Sequence, residues 1–549
     1  MSLILILVGA VCFIGAYFTY GNWLTKQWGV DPDRPTPSHT LEDGVDYVPT
    51  KPQILIGHHF SSIAGAGPIL GPIQASVFGW LPTVIWIIIG GIFFGGVHDY
   101  GSLVASVRHD GRSIGEVIHK NMGKKGKTLF EIFSWLTLVL VVAAFSSICA
   151  TSFEASPEAG TTSLLFIGLA VIFGILIYRV KMPLGIATIL GIIGMIGCIY
   201  LGMTFPLKLS AATWIWIMLV YIAVASIVPV WILLQPRDYL NSFILYAMMA
   251  GAIIGVLVYR PNIKLDAVTS FNPAPGQYLF PLLFVTVACG AISGFHSLVS
   301  SGTTAKQIAS EKDAKFIGYG SMLIECMLAI VAVITAAYLT DGEFTELMKK
   351  GPIVVFSTGV ATFMNSFGVP FHGARIFVTL AISAFALTSL DTSTRLGRFV
   401  FQEYFMKENE DGTPAKQQPI LANKYVATVI TVFCGGLLAF MGYAKVWPIF
   451  GSANQLLAAL ALMAVAVWLM KTGKGYKMII APMAFMFLVT LTALVLLAYN
   501  NIKLFMHPLA TTSVAGVVAL IVLSVLLFIL AIVLLREAIK IFKTQRPVE

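Results

Sequence analysis

Residues 57–72 read Gly57-His58-His59-Phe60-Ser61-Ser62-Ile63-Ala64-Gly65-Ala66-Gly67-Pro68-Ile69-Leu70-Gly71-Pro72, a stretch that is apolar overall yet cannot wind into one regular helix. Pro68 and Pro72 lack an N–H and push the residue before each away from helical geometry, while Gly65, Gly67 and Gly71 leave the backbone free to unwind. Within a bilayer, backbone groups released by such an interruption are tolerated only where protein buries them or a watery cavity receives them. There they can bind ions or the polar groups of a solute. A proline-kinked packing helix is the plainer reading of the same residues.

The surroundings decide which solvent this stretch meets. Of 549 residues, 57% are hydrophobic and 11% charged, whereas water-soluble domains carry about 25% charged residues. Apolar runs of about 20 residues, enough to cross a hydrocarbon core about 30 Å thick, recur from Leu3 to Leu535 with short polar gaps. They lie at roughly 2–21, 53–75, 77–97, 129–150, 163–178, 184–204, 213–234, 243–259, 278–299, 316–339, 372–390, 422–442, 447–469, 478–499 and 512–535. The pattern predicts an all-α polytopic membrane protein of about 15 transmembrane helices. The first run, Leu3–Tyr20, has no basic segment ahead of it and no small-residue cleavage site, so it reads as a retained span and not a signal peptide.

The formal net charge is +9, but the basic residues are scattered over short loops and form no stripe, so no nucleic-acid partner is expected. They mark sidedness instead, since cytoplasmic loops are the richer in Lys and Arg. Basic residues crowd 98–127 (Arg108, Arg112, Lys120, Lys124, Lys125, Lys127), 391–421 (Arg395, Arg398, Lys407, Lys416) and the tail (Arg536, Lys540, Lys543, Arg546), while 151–162 has none. This alternation puts the N-terminus outside and the C-terminus in the cytoplasm, provided that 53–75 crosses the bilayer; a re-entrant 53–75 would flip the N-terminus only. Cys12, Cys149, Cys198, Cys289, Cys326 and Cys434 all lie in apolar runs without a CxxC pair, as packing residues do.

A second interruption falls at Ala225-Ser226-Ile227-Val228-Pro229-Val230-Trp231, with four spans between it and the first and running the opposite way. That spacing predicts a five-plus-five inverted repeat with discontinuous helices, over about 53–204 and 213–390, whose midplane holds solute and coupling ion. The chain then divides into an N-terminal helix and loop (1–52), a transport core (53–390) and a cytoplasmic loop with four further spans (391–549). A leucine at Gly67 is expected to fill the cavity and stop uptake while leaving the fold intact. A third constellation, Cys289 to Thr304, dissolves into hydroxyls; Ser297 and Ser301 share a helix face, and such oxygens can hold Na⁺ or merely cap and pack.

Ionisable residues at membrane depth are costly and therefore point to function. Glu325 sits mid-span; Arg375 either pairs within the bundle or snorkels outward, and Asp391 marks either a gate or a plain helix end. His58, His59, His98, His296 and His372 lie in or beside spans, yet no pair has the spacing of metal ligands, and neither a metal nor a cofactor is expected. At the mouth of the broken helix, the imidazoles of His58 and His59 can titrate near neutral pH or bind a carboxylate, and a satisfied structural histidine is an equal reading for one of the two. Coupling is by protonation of His58, His59 or Glu325, the favoured reading, or by Na⁺ on hydroxyls near Ser300 and Ser301. The chain has no GxxxxGK[ST] sequence through which ATP would drive it. A channel, a membrane-embedded enzyme and a sensor are the competing classes.

Six stretches, GHHFSSIAGAGPILGP (57–72), FFGGVHDYGSL (93–103), LLQPRDYL (233–240), CGAISGFHSLVSSGTT (289–304), FALTSLDTSTRLGR (385–398) and WPIFGSANQLLAAL (447–460), together resemble the carbon starvation protein A family. The match runs from the first span through residue 469 or beyond, although the chain looks shorter than the best-known enterobacterial members. The resemblance implies a leucine-transporter-like fold and a transporter, not an enzyme, that imports pyruvate or peptides through a bacterial inner membrane with H⁺ or Na⁺ during carbon starvation. The solute site is then expected at His58, His59, Ser61, Gly65, Gly67, Pro68, Ser226 and Pro229. The coupling-ion site is expected at Ser293, His296, Ser297, Ser300, Ser301 and Glu325.

Overall fold

The computed structural model describes residues 1–44, 47–229, 232–407, 418–507 and 514–544. Val230, Trp231, Lys416 and Arg546 lie outside the described residues. The described chain is helical, and eleven of its helices are long and apolar enough to cross a bilayer. It opens with α1 (Ser2–Trp28), followed by the pair α2 (Pro52–Ile63) and α3 (Gly67–Ala75) and then α4 (Trp80–Val107), which contains a π turn at Gly91–Gly95. Next come α5 (Ile114–Ala155), kinked at Gly123, the hairpin α6 (Pro157–Tyr178) and α7 (Leu184–Thr204), then α8 (Ala211–Ile227) and α9 (Leu234–Tyr259).

A second pair, α10 (Leu279–Thr286) and α11 (Gly294–Gly302), precedes α12 (Lys315–Ala337), whose first turns are again π, at Lys315–Gly320. Two short helices, α13 (Asp341–Lys349) and α14 (Pro352–Asn365), lead to the long α15 (Phe371–Phe405). The chain ends with α16 (Lys424–Ala439), α17 (Tyr443–Lys471), α18 (Lys477–Met506) and α19 (Val514–Thr544).

Burial follows membrane logic. On α7, Ile186, Ile189, Ile193, Ile196 and Tyr200 are exposed, an apolar face too large for a water-soluble monomer but ordinary against lipid. The most hydrophobic stretch of α17 is by contrast wholly enclosed. It packs against α5, α18, α11 and α4, while α8, α15 and α16 pack on α5 and on one another.

The structure corrects the sequence reading at four places. First, the break that faces α2/α3 is the gap between α10 and α11, residues 287–293, and not 225–231. Helix α8 simply ends: Val228 is extended, as the residue before a proline prefers, and the released carbonyls of Ala225 and Val228 accept from the Arg395 guanidinium of α15. Second, α4 runs ten residues beyond the expected boundary at 97, to Val107, which puts Asp99 inside a helix. Third, α15 passes unbroken through Asp391. Fourth, α14 is an apolar helix in a stretch where no span was expected. At 14 residues it rises about 21 Å, short of the roughly 30 Å of a hydrocarbon core.

Candidate functional site

The first break starts where Ser61 and Ser62 donate to the carbonyls of Gly57 and His58 one turn back, at 2.8 and 2.9 Å. Ala64 then leaves helical geometry, and the Gly65 N–H turns back to the Ile63 carbonyl at 2.8 Å. Helix α3 restarts at Gly67 with Pro68 in its first turn, where a missing N–H costs nothing. Close approach explains the glycines. A Cβ at Gly65 would meet Ser389 of α15, one at Gly71 would strike the Thr286 carbonyl, and one at Gly67 would fall 2.7 Å from Cβ of Cys289. Gly67 therefore faces the opposite break, and a leucine there would press on Cys289 instead of entering open space, so an intact fold is not expected of that variant.

The second break has no proline, and its ends are held from outside by two consecutive residues of α17. Asn454 Oδ1 accepts the Phe295 N–H at 2.9 Å, capping α11, and its Nδ2 donates to Ser293 Oγ at 3.0 Å. Gln455 Nε2 donates to the Phe284 carbonyl at 2.6 Å and to that of Val287 at 3.4 Å, taking up the free end of α10. An orphaned backbone group in a buried, water-poor place costs about 1–3 kcal/mol, so the two amides let the helix stay broken.

Beside these breaks lies a line of ionisable side chains, each fully buried. His98 Nδ1 and Asp99 Oδ1 are 2.7 Å apart, Asp99 Oδ2 and His296 Nδ1 2.8 Å, and His296 Nε2 and Glu325 Oε2 3.6 Å. His59, from the end of α2, bonds Thr304 through Nδ1 at 2.8 Å. His59 Nε2, His98 Nε2, His296 Nε2, both Glu325 oxygens and Ser300 Oγ are buried without a hydrogen-bond partner among the described residues. The ion pairs of Asp99 and Glu325 among the described residues are with histidine only. Neutrality of this enclosed cluster therefore depends on exchangeable protons, since unpaired buried charge is prohibitively costly.

A second buried cluster uses a permanent cation. Arg237 of α9 donates to Asp391 of α15 and to the Tyr221 hydroxyl of α8; Tyr221 in turn donates to Asp391 at 2.6 Å. Arg237 also reaches Thr388 Oγ1 at 3.2 Å and lies 3.5 Å from Asp238, and Asn241 Nδ2 donates to Thr388 at 3.3 Å. Ser389, next in sequence, is the residue packed on Gly65.

The structure thus gathers His59, Gly65, Gly67, Pro68, Ser293, His296, Ser300 and Glu325 around the two breaks. His58 is only half-buried, and Ser61, Ser297 and Ser301 donate to carbonyls of their own helices. Ser226 is drawn to Thr428 of α16 at 3.5 Å and Pro229 is exposed, so neither joins the site. Asp99, Asn454, Gln455 and Arg237 were not singled out from the sequence. The signal for Asp99 was present: a carboxylate one residue after His98, in an apolar run that keeps helical spacing past 97. Among the described residues no three His, Cys, Asp or Glu side chains are arranged to hold a metal.

The profile of the family described as carbon starvation protein CstA matches residues 1–349 and 340–493. The peptide transporter CstA of Escherichia coli K12 is 32% identical, over 89% of this chain and 80% of its own length. The Bacillus subtilis 168 protein of the same name is 30% identical over 98% and 97%. The pyruvate/proton symporter BtsT of E. coli K12 is 30% identical over 86% and 78%. Among solved structures, the manganese transporter of Eremococcus coleocola superposes with a TM-score of 0.50 at 13% identity, over 92% of this chain and 99% of that one, a likeness of fold alone.

Proposed function

This chain belongs to the carbon starvation protein CstA family, and from that premise we propose that it is a proton-coupled symporter. It imports a small carboxylate-bearing solute, pyruvate or a short peptide, through the bacterial inner membrane when carbon is scarce. The observation that carries the reading is that, among the described residues, Asp99 and Glu325 pair with histidines alone. A proton on His296 balances Asp99, and its loss leaves two buried carboxylates close together; the loaded and empty clusters then favour different conformations, which is the requirement for coupling. The solute binds between the α2/α3 and α10/α11 breaks, where the positive end of a half-helix favours its carboxylate.

An inverted repeat is supported by a recurring order: a broken helix, a helix with a π turn, then a long helix, first as α2/α3, α4 and α5 and again as α10/α11, α12 and α15. In this arrangement the transport core extends through α17, past the boundary at 390. Each broken pair crosses once and α14 rests on the outer face, which keeps the count at about fifteen crossings and leaves the N-terminus outside and the C-terminus inside. Single cysteines introduced at Ser2 and Gly126 are expected to react with an impermeant reagent from opposite sides of the membrane. Labelling from one side only would mean that α2/α3 does not cross.

Coupling is tested in proteoliposomes. An imposed pH gradient without Na⁺ is expected to drive accumulation of labelled pyruvate or peptide, and a Na⁺ gradient at equal pH to drive none. Accumulation on Na⁺ alone would overturn proton coupling and shift attention to Ser300, whose buried hydroxyl has no partner among the described residues.

A further inference from the structure

Away from both clusters, a cavity of about 150 Å³ lies where the end of α1, the end of α4 and the turn after α17 meet, lined by Trp28, Arg34, Arg108, Trp468, Thr472 and Lys474. We propose that this cavity binds a small phosphate-type oxyanion on the cytoplasmic face, at a site separate from the transport path.

Charge is the first argument. Three cations line the space, and two of them, Arg34 and Arg108, share the carboxylate of Glu311. Arg108 Nε lies 2.5 Å from Glu311 Oε1 and its second nitrogen 2.7 Å from Oε2, while Arg34 stands off at 3.9 Å and is half exposed. One carboxylate against three cations leaves an excess of positive charge turned toward the cavity. Lys474 has no carboxylate partner among the described residues. Its ammonium rests against Gly29, in the place a Cβ would take, and Gly29 closes α1 in the left-handed conformation at φ 59°. The Gly29 carbonyl in turn accepts from Arg108 at 2.9 Å.

A buried donor is the second argument. Trp28 is 1% exposed and its indole N–H has no partner among the described residues, although buried indoles usually find one. An oxyanion in the cavity supplies that acceptor. Size is the third. A cavity of about 150 Å³ takes a benzene-sized guest, and drug-sized ligands need roughly 300 Å³ or more, so phosphate fits and a nucleotide does not. The two indoles form the apolar walls. Occupancy would tie α1 to α4, which already meet where the Tyr100 and Thr25 hydroxyls lie 2.9 Å apart and the Trp28 and Tyr100 rings 4.9 Å apart.

The shared chemistry is a phosphate bearing free oxygens, supplied either by inorganic phosphate or by an anionic lipid headgroup. Purified full-length protein in detergent is titrated with sodium phosphate against sodium chloride at matched ionic strength, and unfolding temperature and tryptophan emission are read together. Phosphate is expected to give a saturable change in both. The double variant Arg34→Ala/Lys474→Ala should raise the half-saturating concentration at least about tenfold, the effect of losing charge-assisted hydrogen bonds. Trp28→Phe, which removes the N–H and keeps the ring packing, should weaken binding with the fold intact. Repeating the titration in nanodiscs separates the sources: phosphatidylglycerol that suppresses the phosphate response, where phosphatidylcholine does not, identifies the headgroup, and a response that persists in both identifies free phosphate. Equal effects of phosphate and chloride in detergent, or a response that neither variant weakens, would overturn the proposal.

Discussion

Replacing Asp99 by asparagine is expected to bring pH-driven accumulation down to the level of protein-free vesicles. Asparagine keeps the size of the side chain and can still hydrogen-bond His98 and His296, which lie 2.7 and 2.8 Å from the carboxylate. It removes the charge that makes an imidazolium at His296 affordable inside the bundle. The variant should therefore fold while its cluster no longer cycles between two protonation states. Exchange of labelled for unlabelled solute across the membrane moves no net proton, and it should persist. Glu325→Gln should behave in the same way, through the other face of His296. Normal accumulation by both variants would remove this cluster from the coupling step.

The second large effect concerns Asp391. Its substitution by alanine leaves the Arg237 guanidinium, 2% exposed, with Asp238 at 3.5 Å as its one carboxylate among the described residues. Removing one partner of a buried pair costs about 3–5 kcal/mol. The expected result is a marked fall in the unfolding temperature of the purified protein. The triple variant Arg237→Met/Asp238→Asn/Asp391→Leu, which takes away all three buried charges of the cluster, should recover most of that loss, since apolar replacements of buried pairs are often neutral or stabilising. It should still transport poorly, because the pair joins α9 to α15 beside the residue that packs on Gly65. An Asp391→Ala protein as stable as the parent would mean that Arg237 finds another counter-charge.

The sequence disclosed one break and hid the other for a definite physical reason. Between Gly65 and Pro72 the chain interrupts itself, with prolines that cannot donate and glycines that cannot fill space. Between Thr286 and Gly294 the interruption is imposed from elsewhere: Asn454 and Gln455 lie some 160 residues along the chain, and no local pattern announces a helix end capped from such a distance. Pro229 misled for the opposite reason, since its disruption is local and Arg395 absorbs it. Glu325 stood out because its whole span was recognised. Asp99 was passed over because α4 was ended early, and a carboxylate judged to lie in a loop carries no cost.

The Asn454–Gln455 clamp also bears on how the molecule moves. Neighbouring residues of an α-helix point about 100° apart, so a single turn of α17 grips the end of one half-helix with one amide and the start of the next with the other. Rolling or tilting of α10 or α11 on its own would leave a buried backbone group unpaired. Any swing of the two halves that keeps these bonds has to carry α17 with it, so this enclosed helix would serve as an axle and not as a fixed post.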